Sequence, residues 1–148
     1  MQKNPADFIP LLHKLANASG EVIRPHFRKV GFDNKADLTP VTIADRGAEE
    51  AIRAILIKER PDDGIFGEEF GSSNMDAEWS WVIDPIDGTK AFIRGMPMFA
   101  TLIALTHKKK FVMGVIDQPI LRDRWIGGMG HPTTFNNQRA RTRACTSV

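Results

Sequence analysis

Apolar positions recur at spacings of three and four from Ala6 to about Lys29, where Phe8, Leu11, Leu12, Leu15, Val22, Ile23 and Phe27 fall on one helical face. The pattern predicts a packing helix. Pro25 has no N–H to donate and is expected to kink or divide it. Gly31 to Pro40 gathers Gly, Asn, Asp and Pro and predicts a loop or short hairpin. A second helix is predicted from its cap at Thr42, with Asp45 in the first turn, where the helix dipole favours an acid. Ala44, Ala48, Ala51, Ile52 and Ile55 form its apolar stripe before Pro61 stops it, and so much alanine on the contact face implies close packing.

Pro61 to Gly64 reads as a turn, and Ile65-Phe66-Gly67 as a short strand that runs into Glu68 and Glu69. Adjacent residues of a strand face opposite ways, so one of these two acids is expected to face a site and the other to turn away. Phe70 to Ser80, with Gly71, Ser72, Ser73 and Asn74, reads as a mobile flap. Trp81, Val82 and Ile83 form a buried strand that Pro85 is expected to end. Strands are predicted at Phe99–Thr106, Phe111–Ile116 and Arg124–Ile126, with an edge strand at Thr133–Phe135. Lys108, Lys109 and Lys110 mark a solvated turn, and the short connections favour antiparallel pairing. The predicted fold class is therefore α+β, with N-terminal helices packed on a largely antiparallel sheet.

The chemistry concentrates in Trp81 to Arg94, WVIDPIDGTKAFIR. Asp84 and Asp87 flank a proline at a strand end, Gly88 permits an unusual turn, and Thr89 to Arg94 begins a short helix. Carboxylates that attract a cation thus lie beside helical N–H groups that attract an anion, which points to a metal and a phosphate. Magnesium takes oxygen ligands and keeps waters, and Glu68, Asp84 and Asp87, with the Ile86 carbonyl between the aspartates, can supply part of such a shell. Thr89, bonded to an acid such as Asp45, can position or deprotonate a water, while the Gly88 and Thr89 amides hold phosphate. Taken alone, Asp45 reads more simply as a first-turn acid. His13 and His26 have no clustered partners and read as surface or packing residues.

With 148 residues, 42% hydrophobic and 26% charged, the chain has the balance of one ordinary globular domain. A net charge of +2, with basic clusters only at Lys108–Lys110 and at Arg139, Arg141 and Arg143, argues against nucleic-acid binding. Cys145 is the only cysteine, so no intrachain disulfide can form. The N-terminus lacks the pattern of a signal peptide and no stretch reaches the length of a membrane span, which makes cytoplasmic residence the expectation.

Gly67-Glu68-Glu69 followed by Asp84-Pro-Ile-Asp-Gly-Thr89 resembles the inositol monophosphatase superfamily of magnesium-dependent phosphatases. The resemblance extends to Asp37–Asp45 upstream and Lys90–Gly95 downstream, and so covers essentially the whole chain. It implies that Glu68, Asp84, the Ile86 carbonyl and Asp87 bind Mg2+ and that Asp45 and Thr89 activate water, which reverses the simpler reading of Asp45. Asp-Gly-Thr-Lys-Ala-Phe-Ile-Arg-Gly and Met113–Pro119 look most like the histidinol-phosphatase branch, implying hydrolysis of histidinol phosphate in histidine biosynthesis. Inositol monophosphatase and bisphosphate nucleotidase are the alternatives. Lys90 and Arg94, four apart on the short helix, face either substrate or solvent, and Lys35 either adds positive potential near phosphate or is merely solvated.

Members of this family continue into a second, α/β domain with a further metal-binding aspartate and most of the groups that recognise substrate, whereas this sequence stops at Val148. The expectation is an N-terminal metal-binding domain over residues 1–148, cut at a junction within about residues 131–148. Its partner would be a small phosphorylated metabolite, with no nucleic acid or membrane and with a homodimer as the candidate assembly. An inactive remnant that keeps the fold is the competing, non-enzymatic reading.

Overall fold

A computed structural model of the chain describes residues 4–29, 31–35 and 40–145. The Asn4 side chain accepts from Ala6 N–H and caps a 3₁₀ turn, Pro5–Phe8, which leads into helix α1, Ile9–His26. Pro25 lies in the last turn of α1. There it removes one hydrogen bond next to the helix end, so the helix is not divided as its sequence suggested. Two-residue strands β1 (Asp33–Asn34) and β2 (Pro40–Val41) pair antiparallel, as a short hairpin would, while positions 36–39 of the predicted loop lie outside the described residues. Thr42 caps helix α2, Ile43–Glu59. Leu12, Leu15, Ala16 and Ile23 of α1 and Ala44, Ala48, Ile52 and Leu56 of α2 are fully buried, so the two predicted stripes are the packing faces.

The strands β3 (Gly64–Gly67), β4 (Gly71–Ser73), β5 (Trp79–Asp87), β6 (Ala100–His107), β7 (Lys110–Gln118), β8 (Asp123–Gly128), β9 (His131–Phe135) and β10 (Gln138–Arg139) form one sheet. Its order is β10-β9-β8-β7-β6-β5-β3-β4, and every pairing is antiparallel except β3 with β5. Helix α3, Thr89–Ile93, follows β5 directly. Helices on a mostly antiparallel sheet are the architecture expected from the sequence. Trp81 is buried beneath the helices, and its indole N–H donates to Asp63 Oδ2 at 2.9 Å. Arg60 holds the same carboxylate through two bonds of 2.7 and 2.8 Å and lies over the Phe8 ring, joining the end of α2 to the N-terminal turn. Arg124 of β8 donates to Asp117 Oδ1, His13 Nδ1 and Asn17 Oδ1, which makes His13 a packing residue. Burial and the Arg124 charge lower the His13 pKa, in keeping with a neutral acceptor ring.

Four local expectations are corrected. β5 runs through Pro85 instead of ending before it. β3 pairs with β5 only as far as Ile83, and the β6 register shifts between Asp84 and Asp87, so no ladder bond is asked of the missing N–H. Glu68 and Glu69 lie beyond the end of β3, in a turn, where strand alternation does not apply. Part of the proposed flap is the edge strand β4, paired with β3. At the other end, β9 turns through Asn136 and Asn137, both with positive φ, into β10, which takes the edge position assigned to Thr133–Phe135.

The bulge in β5 is tied to α1 through a buried hydroxyl relay. Thr101 Oγ1 donates to the Pro85 carbonyl at 2.8 Å, and Ser19 Oγ, 2.8 Å away, donates to Thr101. Thr101→Val would leave a buried carbonyl and a buried hydroxyl unpaired, so it is expected to lower stability by about 1–3 kcal/mol. Thr101→Ser, which keeps the hydroxyl, should retain most of it. Urea denaturation of the two variants checks this, and equal midpoints would refute the relay.

Candidate active site at the end of strand β5

The site begins where β5 loses its register. Asp84 is the last residue before the bulge and Asp87 the first paired one after it, so the irregular backbone between them decides where the two carboxylates point. Gly88 then turns the chain at φ 97°, and a Cβ there would stand 2.9 Å from the Met98 carbonyl oxygen. Left-handed geometry and lack of space both require glycine. Behind the turn, Phe92 and Phe99 meet edge to face at 5.1 Å, and Phe27 packs on both. This cluster, with Ile23, Ala44, Ala48 and Ile86, fixes α3 and the start of α2 against the end of β5.

Asp45 comes to the site from the first turn of α2. Its Oδ2 accepts from the Thr42 N–H at 2.8 Å and from the Thr42 hydroxyl, while that hydroxyl accepts from the Asp45 N–H, closing a capping box, and also from the Ala44 N–H. The other oxygen, Oδ1, accepts from Thr89 Oγ1 at 3.2 Å, and the same hydroxyl lies 3.1 Å from the Ile86 carbonyl. Thr89 has one proton to share between these two acceptors. Burial raises the Asp45 pKa, against the lowering effect of the bonds from Thr42 and Thr89. Asp45 is therefore both the helix-cap acid and a partner of Thr89.

Glu68 and Glu69 share one cation. Lys35 Nζ lies 3.1 Å from Glu68 Oε1 and 2.7 Å from Glu69 Oε1, so Lys35 is an ion-paired residue of this region and not a solvated loop lysine. Burial pulls the Lys35 pKa down, but its bonds to Glu69 and Glu68 outweigh that and hold it above the ordinary value. Burial raises the Glu69 pKa, and Asp45 and Glu68 add to the rise while Lys35 opposes it. The upstream resemblance at positions 37–39 lies outside the described residues.

Asp84 is strongly perturbed. Burial first, and then its neighbours Glu68, Asp87 and Asp45, push its pKa up to about 8. Its Oδ1 is buried and accepts no hydrogen bond among the described residues. Among those residues no three acid, histidine or cysteine side chains close around a single point as a finished cation cage, and Glu68 is turned to Lys35. An orphaned buried carboxylate oxygen in an all-oxygen donor set nevertheless suits a hard divalent cation. Asp87, Gly88, Lys90 and Arg94 are exposed. No ion pair holds Lys90 or Arg94 among the described residues, and both remain open to a ligand.

One residue at the site escaped the sequence reading. Glu49 of α2 is completely buried, and it reaches the turn that carries Glu68 and Glu69. The signal was present in its spacing: Glu49 continues the row Asp45, Ile52, Leu56 on the buried face and has Arg53 four residues on.

These features meet in a known family. The model of the inositol monophosphatase family matches residues 4–148. The chain is 51% identical to the chloroplastic bifunctional phosphatase IMPL2 of Arabidopsis thaliana, over 95% of this chain and 42% of that protein. It is 44% identical to the histidinol-phosphatase of Mycobacterium tuberculosis, over 84% of this chain and 48% of the relative. Among solved structures, an inositol monophosphatase from Zymomonas mobilis superposes with a TM-score of 0.81 at 51% identity, covering 97% of this chain and 56% of the other. The extragenic suppressor protein SuhB of Bartonella henselae gives a TM-score of 0.87 at 31% identity over 94% and 55% of the two chains. The chain thus spans about half the length of the relatives it matches. In α1, α2 and the eight-stranded sheet, as in its sequence, the chain belongs to the inositol monophosphatase family of phosphatases.

Proposed function

We propose that this chain carries the acidic part of a magnesium-dependent phosphomonoesterase site. Glu68, Asp84, the Ile86 carbonyl and Asp87 would hold the metal, and Asp45 with Thr89 would handle the proton of the attacking water. The observation that carries the reading is Asp84 Oδ1, buried, unpartnered and surrounded by other carboxylates. When bound, magnesium supplies Lewis-acid stabilisation of the phosphoryl, attacking and departing oxygens.

The chain's own residues then have distinct tasks. Thr89 accepts a hydrogen bond from the water, and its own proton points to Asp45 Oδ1, 3.2 Å away. Asp45 has a raised pKa and is therefore better able to take up that proton than an exposed aspartate. Its second oxygen stays bound to Thr42, so the carboxylate is held while it works. The Gly88 and Thr89 amides face the phosphate in this reading, and exposed Lys90 and Arg94 meet the remainder of the substrate. No covalent intermediate is required.

The substrate we infer is histidinol phosphate, supported by the histidinol-phosphatases of Mycobacterium tuberculosis and Streptomyces coelicolor at 44% and 43% identity. The competing substrate is an inositol monophosphate, favoured by the 51% identity to the Zymomonas mobilis enzyme. Phosphate release from each compound, with and without Mg2+, separates them. Release from histidinol phosphate should be the faster and should need the metal. Asp84→Asn and Asp87→Asn should each lower it by about 100-fold or more, as expected when several kcal/mol of transition-state stabilisation is lost. Release that survives both changes would refute the ligand assignment.

Burial and the neighbouring carboxylates push the pKa of folded Asp84 up to about 8, against an ordinary 3.8. The folded state thus keeps a proton that the unfolded chain has already lost, and stability falls as pH rises through that window. In EDTA, Asp84→Asn should gain thermal stability relative to the parent from about pH 4 to about pH 8 and level off above that. Saturating Mg2+ should reverse the difference at pH 8. Parallel melting curves across this range would show that the Asp84 charge is not the strained element.

A further inference from the structure

Glu49 is, among the described residues, a fully buried charged group near the site that the proposed chemistry does not use. Its Oε2 accepts from the Glu69 N–H at 2.7 Å, and its Oε1 accepts from the Phe70 N–H at 3.2 Å and from Arg53 Nε at 2.7 Å. Arg53 also donates through its terminal nitrogen to the Gly71 carbonyl, so the pair grips three consecutive residues after Glu68. Gly67 has no side chain where this happens: a Cβ would stand 1.9 Å from Glu49 Oε1. The turn is thus seated on a carboxylate delivered by the same helix that delivers Asp45, one turn earlier.

From this geometry we infer that Glu49, held by Arg53, is a positioning residue that fixes the Glu68–Glu69 turn for cation binding. The inference rests on the metal-site reading above. Beyond β3 the turn keeps a single backbone bond to β5, from the Glu68 N–H to the Ile83 carbonyl at 3.2 Å, so the Glu69 and Phe70 amides depend on Glu49, and the like charges of Asp84 and Asp45 lie close to its two carboxylates. Amides tied to a charged acceptor resist that repulsion, because charge-assisted bonds are about twice as strong as neutral ones. The strut acts through the backbone and leaves the Glu68 side chain free to exchange Lys35 for a cation.

Arg53 gives the test its discriminating sign. Arg53→Gln removes a positive charge beside the site, so electrostatics alone would tighten cation binding. Loss of the strut would instead loosen it. Mn2+ titration of the full chain, followed by electron paramagnetic resonance at a temperature where every variant is folded, reads the difference. Arg53→Gln and Glu49→Gln should both weaken Mn2+ binding by about 10–100-fold, the usual effect of removing an outer support of a metal ligand. Arg60→Gln breaks a comparable ion pair with Asp63 away from the turn, and should lower stability without changing the affinity. Hydrogen exchange of the metal-free chain should show the Glu69 and Phe70 amides losing protection in Glu49→Gln. Unchanged or tighter Mn2+ binding in Arg53→Gln would overturn the inference while leaving the metal site standing. No Mn2+ binding by the parent chain would remove both.

Discussion

Repulsion among carboxylates is the constraint around which this structure is arranged. Asp45, Glu68, Asp84 and Asp87 gather at the end of β5, where burial first and then the neighbouring carboxylates push the Asp84 pKa up to about 8. Such a cluster holds its shape only if the acids are tied down individually. Asp45 is tied by the cap of α2, and Glu68 and Glu69 by Lys35. The backbone of their turn is tied by Glu49, and the bulge between Asp84 and Asp87 by Thr101. Asp84 Oδ1 is buried without a donor among the described residues, so the acid cluster is left incomplete at that atom.

The apolar core explains why these ties converge. One cluster under the sheet centre joins Phe8, Leu12, Leu15, Ile52, Trp81 and Ile103 and fixes the helices to the strands. A second joins Ile23 of α1, Ala44 and Ala48 of α2, Ile86 of β5 and Phe92 of α3. Alanine in α2 lets the elements approach closely, and the site lies at the rim of this second cluster. Helix N-terminus, bulged strand end and short helix are thereby packed as a single unit, and the acids they carry inherit its geometry.

Much of this was legible in the sequence, because apolar spacings of three and four survive in α1 and α2, and apolar, β-branched runs between turn residues mark β5 to β8. The acids of the motif were legible too, since their spacing around Pro85 and Gly88 has few purely structural uses. What could not be read was pairing. Locally Pro85 reads as the end of an interior strand, but the neighbour β3 ends its pairing at Ile83, and that fact lies in the register and not in the local sequence. Glu68 and Glu69 were assigned to opposite faces because the end of β3 was placed too late. Glu49 was missed because a glutamate on a helix normally faces water, and only the tertiary position of the 68–70 turn shows what its carboxylate accepts.

Asp45 shows why a structural and a chemical reading of one acid need not exclude each other. In a capping box the N3 acid is usually Glu or Gln, long enough to reach back to the N-cap amide. Aspartate makes the same bond from a shorter side chain, with Oδ2 on Thr42 and Oδ1 turned toward Thr89. The cap supplies donors that favour the ionised form, while burial favours the protonated one and prevails, leaving the pKa raised. A base must be ionised to receive a proton and basic enough to keep it, and these opposed effects act on the same carboxylate. In the proposed reaction, the bond that starts the helix would therefore also set how readily Asp45 takes a proton from Thr89, which makes the first turn of α2 a suitable place for such a group.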